Sequence, residues 1–309
     1  MILAVGQTAS IAVQSEVRFT SKPRRYSRST SASFGFSSDE GSDFQCRRDG
    51  RKSWSRCRSP VTFQVGEGIH TFRVRLQASS PPAVWRWTVD RTPPRPTAIP
   101  VPHSAFQRHR WFTVAWRGVD RLSGVKSFDL RSVISSYEGA TRRHPLWLEG
   151  TQSTGTSLRG RPGFTYCFRG RTRDRAGNVS ALSRPATCTA IPVDDSAFIH
   201  RGPWAKRRRP GNYLGTVSST SKRGATLSLP AVRAARLALV ATTCQRCGRL
   251  KAYWKGSLVK RVDLHSPRTR KRRLILLAAR RKARVGRVRL VVTSRRKPVR
   301  IEGLAASAR

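Results

Sequence analysis

The spacing with the most chemistry in it is Cys244-Gln-Arg-Cys247. Two thiols three positions apart serve as half a zinc site, as a redox-active dithiol or as a small disulfide. A structural zinc needs four ligands, yet no second CxxC or close histidine pair accompanies this one, and the nearest histidine, His265, stands alone. Thioredoxin-like chemistry expects the pair at a helix start in a βαβ unit. Here the flanking runs ARLALVAT and LKAYWK alternate as strands do. A structural disulfide, or a pair of free thiols, is the favoured reading. The remaining cysteines form two further local pairs, Cys46 with Cys57 and Cys167 with Cys188. Even, segment-wise pairing suits structural disulfides and an oxidising compartment.

Catalytic constellations are missing from the sequence. The six histidines are scattered, and no GxSxG elbow, HExxH, Walker loop or GxGxxG occurs. Asp194-Asp195 sits at a segment edge, where a turn or linker role is expected. Calcium binding wants Asp and Asn clustered on one loop, and 16 acidic residues among 309 are a thin supply. The expectation is a protein that is not an enzyme and uses neither cofactor nor metal.

The charge is the other chemical signal: 62 basic against 16 acidic side chains, net +46. Such an excess attracts nucleic acids, anionic lipids and acidic wall polymers alike. Of the basic residues 51 are Arg and 11 Lys, a ratio that GC-rich codon usage explains as readily as a polyanion partner. The distribution is uneven, since Ser196 to the end holds 23 Arg and 8 Lys against Asp263 and Glu302 alone. Three basic runs stand out there: Lys206, Arg207, Arg208 and Arg209; Arg270, Lys271, Arg272 and Arg273 within RTRKRR; and Arg280, Arg281 and Lys282 within RRKAR. Singly such runs are solvated loops; together they are expected to converge at one end of the last segment. Tyr253 and Trp254 lie between Lys251 and Lys255, but neighbours on a strand face opposite sides, so only one can join an exposed platform. Nucleic acid therefore ranks behind an anionic wall polymer, a carbohydrate or another surface protein as partner.

The elements that must position these residues read as strands. His70, Phe72, Val74 and Leu76 share one face, with Arg73 and Arg75 opposite; Trp85, Trp87 and Val89 share one face, with Arg86 opposite. Period-two alternation marks half-buried antiparallel strands, and it recurs at WFTVAW, FTYCFRGRTR and GRVRLVVT. Strands at such spacing without helices indicate β-sandwiches. Proline-rich and basic stretches divide the chain into a sandwich at 15–92, a Pro-rich linker at 93–102, a sandwich at 103–193, a basic linker at 194–211 and a third β module at 212–306. No run approaches the roughly 18 apolar residues of a membrane helix. MILAVGQTASIAV lacks a basic start and a small-residue cleavage site, so the natural start is expected upstream.

Phe44, Cys46, Asp49, Gly50, Trp54, Cys57, Ser59 and Pro60 fill an F-x-C-x-x-D-G…W…C…S-P pattern. This first segment resembles the small Ig-like β-sandwich repeated in secreted and surface bacterial proteins. The departure is at ASSPP, where that family carries a short DxAGN-like turn. The resemblance implies a hairpin at Asp49-Gly50, with the two cysteines bonding across its strands. WFTVAWRGVDRLSGVKSFDL and GFTYCFRGRTRDRAGNVSALS resemble a fibronectin type III-like or related Ig-like module, with Tyr166 as a structural tyrosine at the sandwich corner and an AGN turn at Ala176 to Asn178. Val133 to Gly155 reads as irregular. The last segment, through LALVATTCQRCG, YWKGSLVKRVDL and KPVRIEGL, is similar to jelly-roll or carbohydrate-binding-like modules. These readings give an all-β protein of tandem sandwiches that is non-enzymatic and extracellular or at the cell surface. Its expected work is adhesion, spacing or binding of wall polymers. The alternatives are a nucleic-acid or polyanion binder acting through the Arg-rich last third, and an accessory fragment of a larger secreted enzyme.

Overall fold

The computed structural model describes residues 17–76, 81–99 and 105–308. The amino-terminal start, the tail of the Pro-rich linker and the serines of ASSPP lie outside the described residues. The chain is all-β and falls into two compact units. The first takes in the described residues of Met1–Arg95 together with Val119–Lys126 and Thr172–Ser180; the second holds the rest.

In the first unit, Arg18–Ser21, Ser31–Ser37 and Val61–Gln64 form one sheet. The other runs in the order Tyr26–Ser27, Ala83–Val89, Gly68–Arg75, Phe44–Arg48, Ser55–Cys57. The alternation read from the sequence is realised. Phe72, Val74, Leu76, Trp87 and Val89 are buried and join Phe34, Phe36 and Phe44 in one core. Phe34 and Phe72 rings meet at 4.4 Å. Trp85 sits at the edge of this core, its Nε1 donating to the Pro23 carbonyl at 3.1 Å with the Lys22 ammonium 4.0 Å above its ring. At the hairpin turn Asp49 carries the positive φ, +49°, and its carboxylate accepts from the Thr71 N–H at 3.0 Å. Cys46 and Cys57 are bonded across the neighbouring strands.

Thr141–Thr151, Val125–Ser136, Phe164–Asp174 and Thr187–Ala190 form a four-stranded sheet that belongs to the second unit except for Val125–Lys126 and Thr172–Asp174, and Trp111–Ala115 with Gly155–Arg159 is a separate pair in the second unit. The stretch from Val133 to Gly155 is thus not irregular. It is mostly a hairpin turning at Gly139, where φ is +111°, and its polar, arginine-bearing strands hid the period. Tyr166 accepts from the Arg161 N–H at 2.8 Å, the upstream backbone bond of a tyrosine corner. Cys167 and Cys188 are bonded where their strands pair.

The rest of this unit is built on two long strands, Thr226–Thr243 and Arg270–Val292, paired antiparallel along nearly their whole length. One stretch continues outward through Val299–Ser307, Thr216–Thr220 and Ala205–Arg208; the other through Arg249–Trp254 and Ser257–Asp263, with Ile199–Arg201 beside Thr226–Ser228. Leu227 and Leu290 from one stretch share a core with Leu239, Ile301 and Leu304 from the other, so the sheet closes on itself as a sandwich. Its second face is small: Ala238 and Ala305 pack on Phe106 and Ala190. The reading of 194–211 as a basic linker is corrected here. Asp194 pairs with Gly303, and Ala205–Arg208 forms the sheet's edge strand. Alternation is invisible in AKRR because an edge strand with both faces exposed carries charge without periodicity, a common guard against edge-to-edge pairing.

Candidate functional site

The Cys244–Cys247 pair is a disulfide, closed within a four-residue turn after the strand Thr226–Thr243. Both residues are buried. His265 lies beside Cys244, but its Nδ1 faces the Gln245 carbonyl at 2.7 Å. In this structure the pair closes the turn as a disulfide.

Next to this turn the module forms a groove of about 930 Å³. Its walls are the strand Arg249–Trp254, its partner Ser257–Asp263 and the turn from Thr293 to Lys297. Arg223, Arg249, Lys251, Arg261, Arg295 and Lys297 line it, with Asp263 as the single acidic residue in the lining. Arg249 Nε donates to Asp263 Oδ2 at 2.9 Å, and the Arg249 N–H donates to Ser294 Oγ at 3.0 Å. Gly248 fits this crossing closely: a Cβ there would lie 2.8 Å from the Lys297 carbonyl oxygen. The result is a concave surface lined by cations.

The basic runs singled out by sequence are distributed differently. Lys206, Arg207, Arg208 and Arg209 are exposed along or just beyond the edge strand. Lys271 Nζ donates to the Pro210 carbonyl at 2.8 Å, bringing the second run against the end of the first. Arg272 donates its N–H to Glu302 Oε1 at 3.0 Å, while Arg270 and Arg273 lie on the same strand. Arg280, Arg281 and Lys282 are exposed ten residues further on, about 33 Å at roughly 3.3 Å per residue. The expected convergence of all three runs therefore fails, because two of them share one extended strand and are separated by its length. None of these residues lines the groove; Arg207 lines a smaller hollow of about 490 Å³ with Trp204 and Lys222. The groove's own cations were missed because they come from two strands and two separate turns, far apart in the sequence. Of Tyr253 and Trp254, Trp254 is buried and Tyr253 stays partly exposed, with the Arg289 guanidinium 5.1 Å from its ring.

Asp195, Ser218 and His200 superficially resemble a hydrolytic triad. Ser218 Oγ donates to Asp195 Oδ2 at 2.6 Å, and His200 Nε2 lies 2.8 Å from Ser218 Oγ. The order is wrong for a nucleophile, since the serine stands between acid and imidazole and is fully buried. Burial, then the nearby Lys206, holds the His200 pKa below its ordinary value. Burial pushes the Asp195 carboxyl up against its hydrogen bonds from Ser218 and Thr216. Asp194 caps the short turn Asp195–Ala197, so both aspartates of the pair are structural.

No protein-family model and no curated protein sequence matches the chain. Among solved structures, chicken CNTN1 FN1-FN3 domains align at 12% identity and a TM-score of 0.30, covering 93% of this chain and 97% of that one. The fibronectin(III)-like modules of Clostridium thermocellum CbhA align at 10% identity and a TM-score of 0.27, covering 61% of this chain and 99% of that one. An alpha-L-rhamnosidase from Dictyoglumus thermophilum aligns at 10% and 0.28, over 70% of this chain and 28% of its own. Among the described residues, no helix is long and apolar enough to cross a membrane.

Proposed function

We propose that this is an exported, non-catalytic β-sandwich protein whose last module binds an anionic polymer at a cell surface. The carrying observation is the groove beside the Cys244–Cys247 turn, where six cationic side chains face one carboxylate. A concave basic surface concentrates the potential of its charges and raises the local concentration of a polyanion. Three disulfides support a destination outside a reducing cytosol. The first unit, and the second segment packed under the last module, then act as spacers that carry the groove. Lys206 to Arg209, Arg270 to Arg273 and Arg280 to Lys282 contribute the long-range field rather than the contact site.

Calorimetric titration with poly(glycerol phosphate), run beside single-stranded DNA of matched charge, tests this reading. A saturable isotherm with the wall-type polymer, retained at 0.15 M salt (a Debye length of about 8 Å), supports it. Binding of the DNA alone, or only unsaturable binding at low salt, contradicts it.

A further inference from the structure

We propose that Asp90, Asp120 and Asp174 of the first unit form a divalent-cation site whose oxygen-only donors fit Ca²⁺. One carboxylate oxygen from each lies within 4.8 Å of the other two. Two oxygens bound to one Ca²⁺ at about 2.4 Å can stand up to about 4.8 Å apart, so a single ion can span this trio. The three residues come from separate places. Asp90 follows the strand Ala83–Val89, Asp120 lies in the loop before the strand Val125–Ser136, and Asp174 ends the strand Phe164–Asp174.

Each carboxylate is held in place by its own loop. Asp120 Oδ1 accepts from the Gly124 N–H at 2.7 Å, and Asp174 Oδ1 accepts from Gly177 and Asn178 N–H groups at 2.7 and 2.8 Å. Asn178 Nδ2 bridges Asp174 Oδ2 and the Asp90 carbonyl. These bonds explain why the loops fold. They do not explain why three carboxylates face each other in a chain so short of acid.

The independent observation is Ser123. It is 2% exposed, and its Oγ closes no hydrogen bond of ordinary geometry. Its own N–H donates to Asp90 Oδ2 at 3.0 Å, and its hydroxyl faces that same carboxyl. A buried hydroxyl normally finds a partner. A cation among the carboxylates gives the Ser123 oxygen something to coordinate and offsets the mutual repulsion of the acids. Ca²⁺ takes six to eight oxygen ligands in flexible geometry, which three carboxylates, one hydroxyl and solvent can supply.

The test is calorimetric titration of the full chain with CaCl₂, alongside its thermal midpoint with and without the ion. The expected result is one saturable Ca²⁺ per chain and a raised midpoint. Asp120→Asn keeps the Oδ1 acceptor for Gly124 but removes a charge, and should weaken binding by roughly tenfold or more, since ligand charge count tunes affinity. Circular dichroism establishes that the variant is folded. If it is not, Ser123→Ala, which removes only the hydroxyl beside Asp90, takes its place and should weaken binding. Absence of saturable binding and of any midpoint shift at about 10 mM Ca²⁺, well above the weakest extracellular sites, overturns the proposal. So does unchanged affinity in the folded variant.

Discussion

Arg249 Nε and Asp263 Oδ2 stand 2.9 Å apart in the lining of the basic groove. Both side chains are largely exposed, so the pair contributes little to stability. It instead holds one cation partly neutralised. Asp263→Asn should therefore raise affinity for poly(glycerol phosphate) by a few-fold, about 1 kcal/mol at most for an exposed pair, and leave the thermal midpoint unchanged. Parallel titrations of the two proteins check this; weaker binding by the variant would mean that Asp263 positions Arg249 for the ligand.

His200 predicts a pH response of definite sign. Its folded pKa is lowered by burial and by Lys206, so the folded state binds a proton less readily than the unfolded chain. Its contribution to stability is fully present above the unfolded value near 6.5 and is lost as pH falls through the lowered folded value. Thermal midpoints measured between pH 7.5 and 5 should fall more for wild type than for His200→Gln. Asp195 and Asp90, whose pKa values are raised mainly by burial, act with opposite sign, favouring the folded state as pH falls toward the ordinary carboxylate range. The comparison between the two proteins isolates the histidine.

The disulfide between Cys46 and Cys57 closes a short loop across two paired strands. Replacing both residues with serine should destabilise the first unit by about 2–4 kcal/mol. Denaturant unfolding followed by the fluorescence of Trp87, which is buried in that core, reads the loss. An unchanged midpoint would show that the aromatic core alone holds the unit.

Tyr166→Phe removes the hydroxyl that accepts from the Arg161 N–H and leaves the ring against Phe112, whose centroid is 5.5 Å away. The expected cost is about 1 kcal/mol, the net worth of one hydrogen bond. A double-mutant comparison with Phe112→Leu separates the corner bond from ring packing.

Much of this fold was legible because alternation is local. Trp87 and Val89 face inward and Arg86 outward, as the pleat dictates, and the Cys46–Cys57 pair follows from the hairpin between its members. The edge strand Ala205–Arg208 was not legible, since a strand with two solvated faces has no period to read. The site eluded the sequence for a related reason. Arg223, Arg249, Arg261 and Arg295 are four arginines among 51, far apart in the sequence, and only the pairing of strands and the turns between them bring these residues to one groove. The aspartates of the first unit are spread over 84 positions from Asp90 to Asp174. The turns that hold two of them, at Gly124 and at Ala176 to Asn178, could be recognised one by one, but their meeting could not. Conspicuous runs such as Arg280 to Arg284 drew the eye, yet an extended strand spreads their charge along its length.

The most direct test of the functional account sets the groove against those runs. Two triple variants are titrated with poly(glycerol phosphate) at 0.15 M salt: Arg249→Gln, Lys251→Gln and Arg261→Gln in one, and Arg280→Gln, Arg281→Gln and Lys282→Gln in the other. Both lose the same formal charge, so the whole-molecule field falls equally. The groove variant should bind on the order of tenfold to a hundredfold more weakly, at up to about 1 kcal/mol per lost contact, with a shallower salt dependence, while the strand variant stays within a few-fold of wild type. Equal losses in the two variants would contradict the account and reduce the binding to diffuse charge.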